Sequence, residues 1–195
     1  MTLARSSKQR IIIFGFSGSG KSTIANRLGK RLGLRVVHPS SMLRELVTGK
    51  AINRKNTKGQ KGFWETKQGV GLLRSRLTEK HPPDMEIDKI LFQELTKGGI
   101  VMESWNMPWL WKGGALRVYL KCPRTARSER VAARSKLSRE RAYSAVRMKD
   151  MTTRTLFKRI YHIDIQQDTE IFDLIVETKN KTVKEIEGDI LTLLK

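Results

Sequence analysis

The sequence predicts a three-layer α/β/α fold, a parallel sheet of about five strands with helices on both faces. Short apolar runs of strand length alternate with longer stretches of helical period. The first run, 11–14, leads into a glycine-rich turn and then a helical pattern, the order of a βα unit. The 195 residues, with a single cysteine, are enough for one domain to bury a core without disulfides or a structural metal.

Strands are expected at 11–14, 35–37, 100–103, 116–121 and 172–176, and helices at 21–32, 40–48, 124–135 and 182–194. Between the second and third strands a basic, glycine-interrupted stretch, 50–62, precedes helices expected at 63–78 and 85–97, the latter introduced by Pro82-Pro83-Asp84. We read about 40–98 as an acceptor-binding helical insertion in a single domain of 1–195. The segment 124–159 is almost wholly helix-compatible, with a weak break at Leu137-Ser138 where Ser138 can cap a second helix, so about 124–160 reads as a helical hairpin. In the last helix Val183, Ile186, Ile190, Leu191 and Leu194 form one apolar stripe, expected to pack on the core.

The formal net charge is +20, and it is unevenly placed. Residues 1–35 carry eight basic and no acidic side chains, 44–80 carry ten against three, 124–154 carry ten against three, and the remainder is slightly negative. Such a field attracts phosphates and would also bind nucleic acid without sequence preference, so charge alone does not separate a nucleotide enzyme from an RNA-binding protein. Lone Cys122 excludes an intrachain disulfide and fits a reducing cytoplasm. No stretch approaches the roughly 20 apolar residues of a membrane span, and the run 11–14 reads as a buried strand rather than a targeting segment.

Gly15-Phe16-Ser17-Gly18-Ser19-Gly20-Lys21-Ser22 fits G-x-x-x-x-G-K-[ST] without a mismatch and is followed by Thr23. It stands after a strand and opens a helix, as a phosphate-binding loop requires. Small residues let backbone N–H groups curl round phosphate oxygens, the helix terminus adds about half a positive charge, and Lys21 can reach the β- and γ-phosphates. Ser22 supplies a hydroxyl for Mg²⁺. ATP and Mg²⁺ are the expected ligands of this P-loop.

Arg127, Arg130 and Arg134 recur at helical spacing, as do Arg147 and Arg154 with Asp150 between them. Charged helical runs usually face water. After the fourth strand of a P-loop protein, however, a set of arginines on a hairpin suits a lid that positions and neutralises a transferring phosphoryl group.

Several further pieces span nearly the whole chain: Leu43-Arg44-Glu45, Pro123 with Arg127, Arg130-Val131-Ala132 and Arg134, Tyr161 with Ile163-Asp164-Ile165, and Phe172-Asp173-Leu174-Ile175-Val176 with Thr178. With the loop 15–23 they resemble the cytidylate kinases, particularly the short archaeal-type ones, within the P-loop nucleoside-monophosphate kinases. The resemblance implies a phosphotransferase that passes the γ-phosphoryl of ATP to CMP or dCMP. It implies that Arg44 contacts the acceptor phosphate, that Arg130 and Arg134 belong to the lid, that Arg154 faces the phosphates from its second arm, and that Asp88 lies beside the acceptor base. The chain also departs from the family pattern: Glu103-Ser104-Trp105 stands where Gly-Arg usually follows the third strand, His162 replaces a usual glycine, Lys149 an arginine, and Leu156 a basic residue.

The expected catalytic set is therefore Lys21, Arg130, Arg134, Arg147 and Arg154; the acceptor set is Arg44, Asp88, Glu103 and Trp105; and Ser22 and Glu103 serve Mg²⁺, the latter from the carboxyl edge of the third strand, where ligands gather in such sheets. Trp105, Trp109 and Trp111 either wall a base pocket or simply pack. His38, His81 and His162 show no ligand spacing, and they and Cys122 are assigned no role. Two alternatives stay open: an RNA-associated P-loop ATPase or assembly factor, motivated by the charge and by Lys50, Arg54, Lys55, Lys58, Lys61 and Lys67, and a P-loop kinase with another acceptor.

Overall fold

Ile11, Ile12, Ile13 and Phe14 are apolar on both sides of a strand, a pattern that suits only a strand covered on both faces. All four are wholly buried in β1 (Arg10–Phe14). A computed structural model describes residues 9–49 and 62–194. The chain divides into two compact units, one of Met1–Pro39, Asp88–Cys122 and Thr169–Lys195, the other of Ser40–Ile87 and Pro123–Asp168.

The first unit holds a five-stranded sheet in the order β2-β3-β1-β4-β5, every neighbouring pair parallel. Its strands are β1, β2 (Arg35–Val37), β3 (Ile100–Glu103), β4 (Leu116–Lys121) and β5 (Leu174–Glu177). The buried sheet residues Ile11, Ile13, Val101, Val118 and Leu120 form one core with Ile24, Ala25 and Leu28 of α1 (Lys21–Leu32) and Ile186 and Ile190 of α8 (Val183–Thr192). Leu191 and Leu194 pack against this core, whereas Val183, expected on the same stripe, is 38% exposed.

The last strand starts two residues later than expected, for a reason of packing. Phe172 belongs to an aromatic cluster with Phe14, Trp109 and Tyr119, ring centroids 4.8–5.4 Å apart, and Asp173 accepts the Arg117 backbone N–H at 2.6 Å. The apolar signal at Phe172 therefore reflects aromatic packing and not strand pairing. Trp109, on the short helix α5 (Met107–Leu110), packs within this cluster, and Trp111 packs beside Phe92 and under the Arg10 guanidinium.

The second unit is helical. It contains α2 (Pro39–Thr48) from Ser40 onward, a 3₁₀ turn Phe63–Glu65, α3 (Lys67–Ser75), the first turn of α4 (Asp84–Lys97), and the hairpin α6 (Arg124–Ser135) and α7 (Arg139–Tyr161). The single helix expected over 63–78 is instead a turn followed by α3. Thr66 is extended, and its hydroxyl accepts the Gly69 N–H at 3.1 Å, so the helix begins afresh after it. Ser138 caps α7 through the Arg141 N–H as expected. Inside the hairpin Val131, Ala142 and Val146 are buried together, and a buried Arg76–Asp84 ion pair joins α3 to α4.

Of the basic stretch singled out in the sequence, Lys50, Arg54, Lys55, Lys58 and Lys61 lie outside the described residues, and Lys67 is exposed at the start of α3. No helix among the described residues is long and apolar enough to cross a membrane.

Candidate active site

The chain leaves β1 at Phe14 and turns through Gly15–Gly20 into α1. A Cβ at Gly15 would lie 2.4 Å from Ser19 Oγ and 2.8 Å from the Leu120 carbonyl, and Gly20 sits at φ 101°, so neither position tolerates an ordinary side chain. Gly20 is the N-cap of α1 and has no side chain with which to cap it, and no acidic residue stands in its first turn. Its N–H groups and partial positive charge are left to an anion. Lys21 Nζ donates to the carbonyls of Gly15 and Phe16 at 2.5 and 3.3 Å and lies 5.3 Å from the centroid of the Trp105 ring.

Ser22 Oγ donates to Glu103 Oε2 at 2.7 Å. Glu103, at the carboxyl end of β3, is 6% exposed. Its other oxygen, Oε1, lies 2.6 Å from His38 Nδ1, and His38 Nε2 lies 3.1 Å from Asn26 Oδ1. Burial alone would push the Glu103 carboxyl up; the hydrogen bond and charge of His38, the charge of Lys21 and the Ser22 hydroxyl outweigh it and hold the group below the usual glutamate value. His38 is the mirror case: burial lowers it, but the Glu103 hydrogen bond and charge prevail and raise it. The sequence assigned His38 no role, yet it is the partner that keeps this carboxylate ionised.

Beyond Glu103 the segment that departs from the family pattern forms its own network. Ser104 Oγ donates to Asn106 Oδ1 at 3.0 Å and accepts the Met107 N–H at 3.1 Å, while Asn106 Nδ2 donates to Asp88 Oδ1 at 2.8 Å. All three side chains are buried. Trp105 is the half-buried residue between them, its ring edge-on to Phe16 at 5.5 Å. Lys21, Ser22, Glu103 and Trp105 are thus brought together, and Asp88 is tied through Asn106 to the same loop.

These residues fit a nucleoside triphosphate with Mg²⁺. The glycine loop is a cradle that a Cβ would fill, and the hydroxyl and ionised carboxylate are the hard oxygen donors that Mg²⁺ prefers. Among the described residues there is no group of three or more His, Cys, Asp or Glu placed to hold a metal ion.

Residues 10–180 match the model of the cytidylate kinase-like family. The chain belongs to that family. A cytidylate kinase of Ignicoccus hospitalis is 32% identical over 171 residues, covering 86% of this chain and 88% of that one. A cytidylate kinase of Aeropyrum pernix is 32% identical over 177 residues, covering 89% and 92%. A solved shikimate kinase from Bacteroides thetaiotaomicron superposes with a TM-score of 0.54 over 95% of this chain and 98% of its own, at 15% identity, a likeness of fold. This member of the cytidylate kinase-like family is accordingly a phosphotransferase with a P-loop α/β/α fold.

The arginines expected to serve a cytidylate kinase all lie in the helical unit, and they are held in different ways. Arg154 uses all three of its nitrogens: Nε and Nη2 donate to Asp164 at 2.9 and 2.7 Å, and Nη1 to Gln166 at 2.7 Å. Arg127 and Asp150, about 5% exposed each, form a buried pair between the two arms, so Arg127 is a strut of the hairpin and not part of an open arginine face. Arg134 donates once, to Glu65 Oε1 at 2.9 Å. The Arg44 guanidinium lies 4.4 Å from the centroid of the Phe63 ring. Arg130 is half-buried and Arg147 exposed.

Where the family has glycine, His162 ends α7 in the left-handed region, at φ 56°. Lys149 lies over the Trp64 ring at 5.3 Å, and Leu156 is wholly buried.

Proposed function

We propose that this cytidylate kinase-like protein transfers the γ-phosphoryl group of ATP to CMP or dCMP in the cytoplasm, breaking the bond to the β-phosphate bridging oxygen and forming one to an oxygen of the acceptor phosphate. The observation that carries this reading is the glycine loop whose Ser22 hydroxyl is bonded to a buried, ionised Glu103. Gly15 to Thr23 hold the triphosphate of ATP, with Lys21 leaving its carbonyl partners for the β- and γ-oxygens. Ser22 and Glu103 would hold Mg²⁺, which when bound would neutralise β- and γ-phosphate charge. Arg44 grips the acceptor phosphate, Asp88 and Trp105 address the acceptor base, and Arg130, Arg134, Arg147 and Arg154 offset charge on the transferring group. No general base is needed, because the acceptor is already a phosphate oxyanion.

The relatives named cytidylate kinase support CMP as the acceptor. An RNA-associated ATPase is not favoured beside them. The charge of +20 still motivates a non-specific affinity for RNA in the same protein, which would fall roughly 10³-fold or more between about 50 and 200 mM salt, while turnover weakens far less.

The deciding experiment is a panel of nucleoside and deoxynucleoside monophosphates, shikimate and a 5′-hydroxyl oligonucleotide with ATP, read as ADP release. CMP and dCMP should lead; equal or greater turnover of any other acceptor would move the assignment to that substrate.

A further inference from the structure

Three consecutive residues of the helical unit each hold a cation from a different helix. Phe63 carries Arg44 of α2 on its ring, Trp64 carries Lys149 of α7 at 5.3 Å, and Glu65 carries Arg134 of α6. The turn is itself fixed. Phe63 is buried and edge-on to Trp64 at 5.0 Å, and Thr66 Oγ1 donates back to the Phe63 carbonyl at 2.7 Å while capping α3.

The manner of holding matters more than the number held. A guanidinium resting on a ring is fixed by its face, so its in-plane N–H donors are not spent on that contact, and Arg44 Nη1 is buried with no hydrogen-bond partner among the described residues, a donor still owed an acceptor. Arg134 gives one N–H to one oxygen of Glu65. By contrast, Arg127 meets Asp150 through two nitrogens and Arg154 commits all three of its own.

The Glu65 side chain is 7% exposed against 35% for Arg134, and Glu65 Oε2 is buried without a hydrogen-bond partner among the described residues. An exposed carboxylate would satisfy Arg134 at lower desolvation cost. The buried one fixes where the arginine points.

We propose that Phe63 and Glu65 are positioning residues, setting Arg44 and Arg134 by contacts that leave most of each guanidinium available for a phosphate. This rests on the reading of Arg44 and Arg134 as phosphate-binding residues of the kinase.

Steady-state kinetics with ATP and CMP on Glu65→Ala, Arg134→Ala, their double variant and Phe63→Leu test it, with melting temperature as the control for folding. Glu65→Ala should lower kcat about tenfold or more with the KM for ATP unchanged, a misplacement effect. The double variant should be no slower than Arg134→Ala alone, because the two side chains act as one. Phe63→Leu should raise the KM for CMP about threefold with kcat kept. Glu65→Gln, whose amide oxygen can still accept the Nη2 hydrogen bond, should retain most of kcat even if Glu65→Ala folds poorly.

Normal kcat in Glu65→Ala beside an impaired Arg134→Ala would overturn the positioning role alone, as would losses that multiply in the double variant or a Glu65→Gln as slow as Glu65→Ala. Normal kcat in Arg134→Ala itself would instead remove Arg134 from the mechanism, and this inference with it. Absence of CMP turnover in the unmodified enzyme would refute the kinase assignment before either question arises.

Discussion

The sheet unit and the helical unit are both basic, but the cations assigned to phosphate and those that brace the hairpin are held differently. In the sheet unit Lys21 donates to two carbonyl oxygens and lies beside a ring, contacts that a phosphate can replace, with the Glu103 charge nearby. In the helical unit Arg127 and Arg154 each meet a carboxylate through two nitrogens, Asp150 and Asp164, whereas Arg134 gives one N–H to Glu65 and Arg44 lies on a ring. A cation held by one contact keeps donors for its substrate, whereas one that meets a carboxylate through two nitrogens is first of all architecture. Sequence spacing alone cannot tell these apart, because an arginine at i, i+3 and i+7 reads the same whether its partner is a phosphate or an aspartate on the facing helix.

The comparison is broken most directly at Lys21. Lys21→Ala should reduce kcat by about 10² to 10³, roughly 3 to 4 kcal/mol of transition-state stabilisation, while the melting temperature stays within about 2 °C of the parent, since a half-buried lysine beside a glycine loop adds little to core packing. Coupled ADP assays and a thermal melt on the same sample decide it; comparable losses in both would make Lys21 structural.

Arg127→Ala should show the opposite pattern. Its side chain and that of Asp150 are about 5% exposed, and removing one member of a buried pair costs about 3 kcal/mol, softened by Arg124 at 3.7 Å from the same carboxylate. Denaturant midpoints should fall markedly, and kcat below the new transition should fall much less.

Acid should separate Arg154 from Lys21. The Arg154 hydrogen bond, helped by the Gln166 N–H and against some burial, holds Asp164 below the usual aspartate value. A carboxyl with a lowered folded-state pKa stabilises at pH values above its unfolded value, about 3.9, and that stability is lost as pH falls through the folded value. Urea midpoints between about pH 5 and 3 should therefore fall more steeply in the parent than in Asp164→Asn; parallel curves would show that the pair contributes nothing to stability.

The smallest effect expected is a gain. His162 occupies the left-handed region at φ 56°, which costs an ordinary residue roughly 1 kcal/mol relative to glycine, so His162→Gly should raise the melting temperature by a few degrees unless the imidazole has a compensating role.

Much of the fold was legible. The strands at 35–37, 100–103 and 116–121 and the helix at 124–135 stand where the apolar pattern put them, and the Ser138 cap was visible because a hydroxyl at a break in helical period has one main use. The phosphate loop was legible for the same reason: its chemistry is local.

What escaped the sequence was non-local. His38 and Glu103 are far apart in the chain, but β2 lies beside β3 with Val37 opposite Met102, so the next residue of each strand is His38 and Glu103. Strand order had to be known before that pair could be seen. Glu65 is equally hidden in the sequence, because the helical period runs on from 63 and the break at Thr66 comes from its extended backbone and its cap on Gly69.

The bare N-terminus of α1 has a consequence for how the protein is handled in the cell. The C-terminal helix is closed by its own capping box, Thr182 with Glu185, but α1 ends in Gly20 with no side chain to satisfy its first N–H groups. A missing cap usually leaves a helix about 1 kcal/mol poorer, and in the function proposed above the group that supplies it is the triphosphate. On that proposal ATP is a structural ligand as well as a substrate, adding RT ln(1 + [L]/Kd) to the stability of the folded state. Resistance to proteolysis and to local opening at the start of α1 should then rise with the ATP concentration.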